Sequence, residues 1–285
     1  MIAWVSGIYD EPELYQLACA YRDVPTEAAA LLAWCAAHLE TRGSEGGPGS
    51  VLEMAAGPAE HARELAGRGL RATALDYSAA MCAYAAAQAK SAGVELDVVE
   101  ADMRDFSIAA GDGEPAVFDL AITMLNSLCH LFTLDDLVRH LIAVHAQLAD
   151  GGLYIVELAH PADFLAPVPR TSSEWTIDAG GVHAEVRWGG KEDRIDPVTQ
   201  VTNEHMTITA TSKDGTVRTV SDVVANRFWT RTEFGAAVAL ANARLDAGSG
   251  LGGLEIVASY GDFDETTGLD SPAAWRMILV LRKAG

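Results

Sequence analysis

Three acids stand in or just past three successive apolar runs: Glu53 in VLEMA, Asp76 closing LRATALD, and Asp102 in EADMRDF after VELDVVEA. The first run breaks into small residues, VLEMAAGPAEHARELAGRG, before a helical pattern begins. A strand that turns this tightly into a helix presents backbone N–H groups and the positive end of the helix dipole to a ligand. Small side chains let that ligand reach the backbone. A single Gly57 among Ala55, Ala56, Pro58 and Ala59 is a weak nucleotide signal and reads equally as a plain strand-to-helix turn. Asp76, 23 residues beyond Glu53, has the place of an acid that accepts both ribose hydroxyls of an adenosine cofactor, or else caps the helix beginning near Ser78. Asp102 suits an adenine amine and Met103 the face of the ring, although a methionine there also serves as core. Three such features in order at three strand ends carry more weight than any one of them.

The elements that would position these residues are strands alternating with Ala-rich helical patterns: 51–55, 70–76, 94–101, 118–125 and 152–158. That alternation predicts parallel βαβ units with right-handed crossovers. Before them, 11–39 reads as two helices broken around Asp23, Val24 and Pro25, and TRGSEGGPGS at 41–50 reads as a linker. After Pro161 the pattern changes to polar–apolar alternation in VHAEVRWGG, TQVTNEHMTITATS and TVRTVSDVVANRFW, with KDG at a turn, which predicts antiparallel strands with one wet face. A helix over TEFGAAVALANARL and strands LEIVASYG and WRMILVLR complete the chain.

The formal net charge of −20 and the scattered 20 basic residues argue against a phosphate-backbone binder. Cys19, Cys35, Cys82 and Cys129 show no metal-ligand spacing, so no metal site is expected and reduced core thiols are. The acidic start MIAWVSGIYDEPELY does not read as a signal peptide, and the longest apolar stretch, AAALLAWCAA, is too short to span a bilayer. A cytoplasmic protein with a small-molecule partner, no nucleic acid and no membrane is expected, with a homodimer left open.

The run VLEMAAGPAEHARELAGRG, then ALDYSAAM, EADMRDF, FDLAITMLNSLCHL and HLIAVHAQLADGGLYIVELAHP resembles the successive motifs of class I S-adenosylmethionine-dependent methyltransferases. The resemblance implies an α/β Rossmann-like, seven-stranded, mostly parallel sheet with helices on both faces and the last strand antiparallel. It implies a flap over 1–45, a cofactor-binding core over 46–165, an antiparallel β insertion or lid over 166–230 after the fifth strand, and a C-terminal helix with the last two strands over 231–285. S-adenosylmethionine would be the cofactor and S-adenosylhomocysteine its product. Glu53 would lie beside the methionine moiety, with Ala55, Gly57 and Pro58 in the cofactor loop. Asp76 would hold the ribose, Tyr77 and Met81 would flank the adenine that Asp102 and Met103 recognise, and Met124 and Leu125 would complete the cofactor wall. IYDEPELYQLACAYRD resembles the flap of small-molecule methyltransferases, which places Tyr9, Tyr21 and Arg22 on the cofactor, Arg22 facing its carboxylate; ordinary helix residues are the competing reading. The loop departs from the E/DxGxGxG pattern at Ala55 and Ala59, since alanine resists positive φ.

Methyl transfer needs chiefly an aligned nucleophile, and a base only where the acceptor arrives protonated. Asn126 and His130 after the fourth strand, and Glu157 and His160 after the fifth, are the catalytic candidates; Ser127, Arg227 and Trp229 are the substrate-contact candidates. Each histidine, and Arg227 with Trp229, has a structural reading beside the functional one, and His61 reads as structural. Transfer of a methyl group to a small molecule by in-line displacement is the expected function. Two alternatives stay open: internal displacement or elimination that releases methylthioadenosine, and a non-catalytic ligand binder on this scaffold.

Overall fold

The structure is a computed structural model that describes residues 7–40, 47–110, 113–165, 172–249 and 252–284. Most of the linker expected at 41–50 lies outside the described residues. Seven strands form the main sheet: β1 (Ser50–Met54), β2 (Arg71–Asp76), β3 (Asp97–Glu100), β4 (Phe118–Thr123), β5 (Leu148–Ala159), β10 (Leu254–Tyr260) and β11 (Arg276–Lys283). The remaining strands, β6 (Ser173–Ala179), β7 (Val182–Trp188), β8 (Val201–Ser212) and β9 (Val217–Arg227), form a second, antiparallel sheet in sequence order. The helices are α1 (Pro12–Ala18), α2 (Val24–His38), α3 (Glu60–Gly67), α4 (Ala79–Ala92), α5 (Leu134–Gln147), the short α6 (Pro161–Phe164) and α7 (Arg231–Ser249).

The main sheet runs β10-β11-β5-β4-β1-β2-β3, with β11 antiparallel to both of its neighbours and the other pairings parallel. The predicted α/β architecture is therefore present, antiparallel last strand included. Because side chains alternate across a strand, the buried strands feed two cores. Leu52, Met54, Tyr154, Val156, Leu279 and Leu281 meet α5 and α7 on one face. Val51, Leu120, Ile122, Ile155, Ile278 and Val280 meet α2 and α3 on the other.

Local chemistry sets the ends of these helices. Pro25 does not break α2: it sits in the first turn, where its missing N–H costs nothing, and Asp23 caps that end by accepting from the Thr26 N–H at 3.2 Å. Ser78 caps α4 through the Met81 N–H at 3.2 Å, and Gly93 at φ +69° closes it. A reciprocal capping box between Thr133 and Asp136 starts α5.

One face of the second sheet buries Ala184, Val186, Met206, Ile208, Ala210, Val220 and Val224 against Ile8, Leu14 and Ala18 of the N-terminal segment. The segment thus lies between the second sheet and the main one. The strand SEWTIDA, β6, was not among those expected, because its residues are mostly exposed or half-buried and its apolar signal reduces to Trp175 and Ile177. Among the described residues no helix is long and apolar enough to cross a membrane.

Candidate active site

A cavity of about 720 Å³ opens at the carboxyl ends of β1, β2, β4 and β5, roofed by the N-terminal segment and the inner face of the second sheet. Its first half is built by the strand ends. Ala55 (φ 49°), Gly57 (φ 52°) and Ala59 (φ 54°) all adopt the left-handed conformation, so the alanines follow a glycine-like path instead of avoiding it. That path costs roughly 1–2 kcal/mol for each alanine. Leu125 (φ 53°) and Asn126 (φ 58°) repeat the conformation beyond β4, so four non-glycine residues of this region carry backbone strain.

Asp76 fastens the turn: one carboxylate oxygen accepts from the Gly57 N–H at 2.7 Å, the other from the Ser78 N–H at 2.8 Å. Burial raises its pKa against the lowering effect of those bonds. Ala55, Gly57, Asp76, Tyr77, Met81, Asp102, Met103 and Leu125 all line this half. Arg104 pairs with Asp102, closing a short ring at the rim.

Beneath the turn lies a buried ionic cluster. Arg22 bridges Glu27 at 2.6 Å and Glu157 at 2.8 Å; Arg276 meets the same two acids at 3.2 Å and 3.0 Å. His61 joins Glu27 at 2.8 Å to Glu53 at 3.4 Å, and Glu53 also accepts from the Ala62 N–H at 2.7 Å. Burial would lower the pKa of His61, but the bonds to Glu27 and Glu53 outweigh it and raise the pKa to about 9. Burial likewise opposes ionisation of Glu27, yet His61 and Arg22 hold it at about 2. Three acids thus face three cations. Arg22 is accordingly committed to carboxylates of the chain, not free for a cofactor's. Glu157 is held by two arginines and accepts from the Leu125 N–H at 2.8 Å. Arg22, Glu53, Pro58 and Met124 line only a small recess of about 40 Å³ behind the loop.

The second half of the cavity is aromatic. Ring contacts run from His130 to Tyr9 (centroids 5.5 Å), Tyr9 to Tyr15 (5.6 Å), Tyr15 to Trp188 (6.2 Å), Trp188 to Trp175 (6.3 Å) and Trp175 to Tyr21 (5.8 Å). His130 Nε2 lies 3.0 Å from the Tyr9 hydroxyl. Burial lowers the His130 pKa, against a hydrogen bond to the Ala225 backbone that raises it. The ring is neutral near pH 7, with Nε2 accepting the Tyr9 proton and the other nitrogen donating to Ala225. Asn126 also lines the cavity, but its Oδ1 is taken by the Ala159 N–H at 3.0 Å; the Ser127 hydroxyl donates to the Met124 carbonyl at 2.8 Å.

Besides Arg22, Glu53, Pro58 and Met124, three expected residues lie outside the cavity wall and outside the recess as well. His160 caps α6 and meets the Leu269 carbonyl at 2.9 Å. Arg227 donates to the Phe132 carbonyl at 2.7 Å, pairs with Glu233 at 3.5 Å and stacks 3.8 Å over Trp229, at the rim. Trp229 is 2% exposed, its indole N–H on the Leu128 carbonyl at 3.1 Å. Conversely, Tyr15, Trp175, Trp188, Glu204, Asn226 and Arg276 line the cavity and were not singled out from sequence. A signal for Glu204 existed: strand parity puts it on one face with Met206, Ile208 and Ala210, a carboxyl on an apolar stripe.

Comparison with known proteins gives a methyltransferase-domain family model matching residues 51–152. No curated protein sequence matches the chain. Among solved structures, Streptomyces venezuelae DesVI is similar at 18% identity and TM-score 0.73 over 96% of this chain and 98% of its own. An S-adenosylmethionine-dependent methyltransferase from Clostridium acetobutylicum is similar at 15% identity and TM-score 0.72, covering 95% and 96%. CalS10, an amino pentose methyltransferase from Micromonospora echinaspora with S-adenosylmethionine bound, is similar at 20% identity and TM-score 0.65, covering 94% and 96%.

Proposed function

With residues 51–152 a methyltransferase domain, in a chain that has the fold of S-adenosylmethionine-dependent methyltransferases, we propose that the protein transfers a methyl group from S-adenosylmethionine to a small-molecule acceptor. The observation that carries this reading is the left-handed turn at Ala55, Gly57 and Ala59 locked by Asp76, at the mouth of a cavity large enough for a cofactor and an acceptor together. Asp76 would take the ribose hydroxyls, Met103 and Met81 the faces of the base, and Asp102 its edge. The small side chains of the turn suit a nucleoside that brings no pyrophosphate. The cofactor supplies an electrophilic methyl group on a sulfonium.

The chain supplies orientation. Most of the rate would come from holding acceptor and methyl group in line inside a water-poor cavity, since the side chains nearest the strand ends are already engaged. The neutral His130 and Tyr9 would form one wall of the acceptor position, their shared hydrogen bond fixing both rings. The aromatic belt favours a bound cation on its faces. In this reading 1–45 is a flap and 166–230 a lid that close over the core of 46–165 and 231–285.

Calorimetric titration with S-adenosylmethionine, S-adenosylhomocysteine and NAD tests the proposal. Selective binding of the two sulfur nucleotides is expected, with S-adenosylhomocysteine accumulating once an acceptor is present. Binding of none of the three, or methylthioadenosine as the product, overturns it.

A further inference from the structure

Glu27, Glu53, Glu157, Asp193 and Glu204 are the buried acids among the described residues. Four have a basic partner: Glu27, Glu53 and Glu157 in the ionic cluster, and Asp193 on His205 at 2.6 Å. Glu204, 8% exposed in the wall of the large cavity, has none among the described residues. It is nevertheless firmly held. Asn226 Nδ2 donates to Oε2 at 2.7 Å, the Trp188 indole donates to the carboxylate, and the Cys129 thiol fixes the Asn226 amide through Oδ1 at 3.1 Å. No positive charge acts on Glu204: Cys129, Tyr9 and His130 are neutral, Asp193 adds a further negative field, and the arginines that line the cavity, Arg104 and Arg276, pair with Asp102 and with Glu27 and Glu157.

We propose that Glu204 is the residue that selects the acceptor, and that the acceptor is a small amine that enters as its ammonium ion and gives its proton to the Glu204 carboxylate before its freed electron pair takes the methyl group, S-adenosylhomocysteine leaving. The proposal rests on the methyltransferase reading, which makes the aromatic half of the cavity the acceptor half. A carboxylate buried without a cation bears a desolvation cost, and a ligand that carries the missing charge relieves it. Trp188, beside the carboxylate, and Tyr15 and Trp175, in ring contact with Trp188, add faces that attract an ammonium group. An alcohol of the same shape offers neither interaction. Burial pushes the pKa of Glu204 up to about 7, against the bond from Asn226, so above that pH the site holds an unmatched negative charge.

The test uses the whole protein saturated with S-adenosylhomocysteine at pH 8 and titrates matched pairs: benzylamine and benzyl alcohol, cyclohexylamine and cyclohexanol, tryptamine and tryptophol. At least one amine is expected to bind tenfold or more tightly than its alcohol, read by calorimetry and by the fluorescence of Trp175 and Trp188. Glu204→Gln is expected to bring that pair within about twofold while leaving S-adenosylhomocysteine affinity unchanged. Equal binding of amines and alcohols overturns the proposal, as does an unchanged amine preference in the variant or no binding of any amine to the loaded protein. A variant that instead loses S-adenosylmethionine relative to S-adenosylhomocysteine assigns Glu204 to the sulfonium and overturns it too. If Glu204→Gln does not fold, the amine and alcohol pairs on the unsubstituted protein decide alone. Failure to load with S-adenosylhomocysteine at the outset is a different result: it counts against the methyltransferase reading itself.

Discussion

Glu157 and Glu204 are buried carboxyls in the wall of one cavity. Glu157 is enclosed by Arg22, Arg276 and the Leu125 N–H, so every charge around it is answered from within the chain. Glu204 receives only neutral donors, Asn226 and Trp188. The first arrangement ties the N-terminal segment, β5 and β11 together and leaves nothing for a ligand to complete. The second leaves a charge for a ligand to complete. Burial of an acid alone therefore does not mark function; what answers its charge does.

The contrast is broken most forcefully at Arg276. Arg276→Met removes a cation from both Glu27 and Glu157, and chemical denaturation should show a loss of about 3–5 kcal/mol, the usual size when one partner of a buried ionic cluster is deleted. A loss under about 1 kcal/mol would mean that the acids of the cluster are no better answered than Glu204.

Glu204→Gln should act in the opposite sense. The folded protein holds the Glu204 proton up to about pH 7, above the ordinary value of 4.5, so the folded state binds more protons than the unfolded state between those values. Stability then falls as pH rises across that window, by up to roughly 3 kcal/mol. Glutamine abolishes that contribution, so the variant should be more stable than the parent at pH 8 and indistinguishable from it near pH 4. Denaturation midpoints at the two pH values check this; a destabilised variant at pH 8 would show that the charge is answered after all.

Asp76→Ala sharpens the comparison from the cofactor side, because this acid holds backbone N–H groups and still faces the cavity. S-adenosylhomocysteine affinity should fall by roughly 1–3 kcal/mol in calorimetry. An unchanged affinity would put the ribose elsewhere. The smallest effect is expected at Ala55→Gly, which relieves a left-handed alanine and should stabilise the protein by roughly 0.5–1 kcal/mol in thermal unfolding. A loss of stability there would mean that the alanine methyl contributes more than its strain costs.

The half of the cavity built by the strand ends was legible because its residues follow from local patterns. Gly57, Asp76 and Met103 stand at or just past strand ends, and strand ends can be read from apolar runs. The aromatic half was not, because its residues gain meaning only when the second sheet docks. Glu204 in VTNEHMT looks like one more polar strand residue until Met206 and Ile208 are seen to face the N-terminal segment. Trp175 and Trp188 meet Tyr21 and Tyr15 across more than 150 positions of chain. Arg227 and Trp229 misled for the same reason: NRFWT ends a strand near the site, but its side chains turn to Phe132 and Leu128 on the rim. Arg22 was read as a ligand group because its acidic partner Glu157 lies 135 positions away.

The roof of the cavity is made from the two distant parts of the chain that share one small core. Ile8, Leu14 and Ala18 are buried by residues between 184 and 224, and the Ile8 N–H is held by Asp222 at 2.9 Å. During synthesis Ile8, Leu14 and Ala18 therefore cannot reach the strands that bury them until residues 184–224 have been made. The parallel strands of the main sheet can pair as they emerge, whereas the roof of the cavity is assembled near the end, by a long-range closure that is entropically slow. A nascent chain arrested before β9 would be a cradle without a cover.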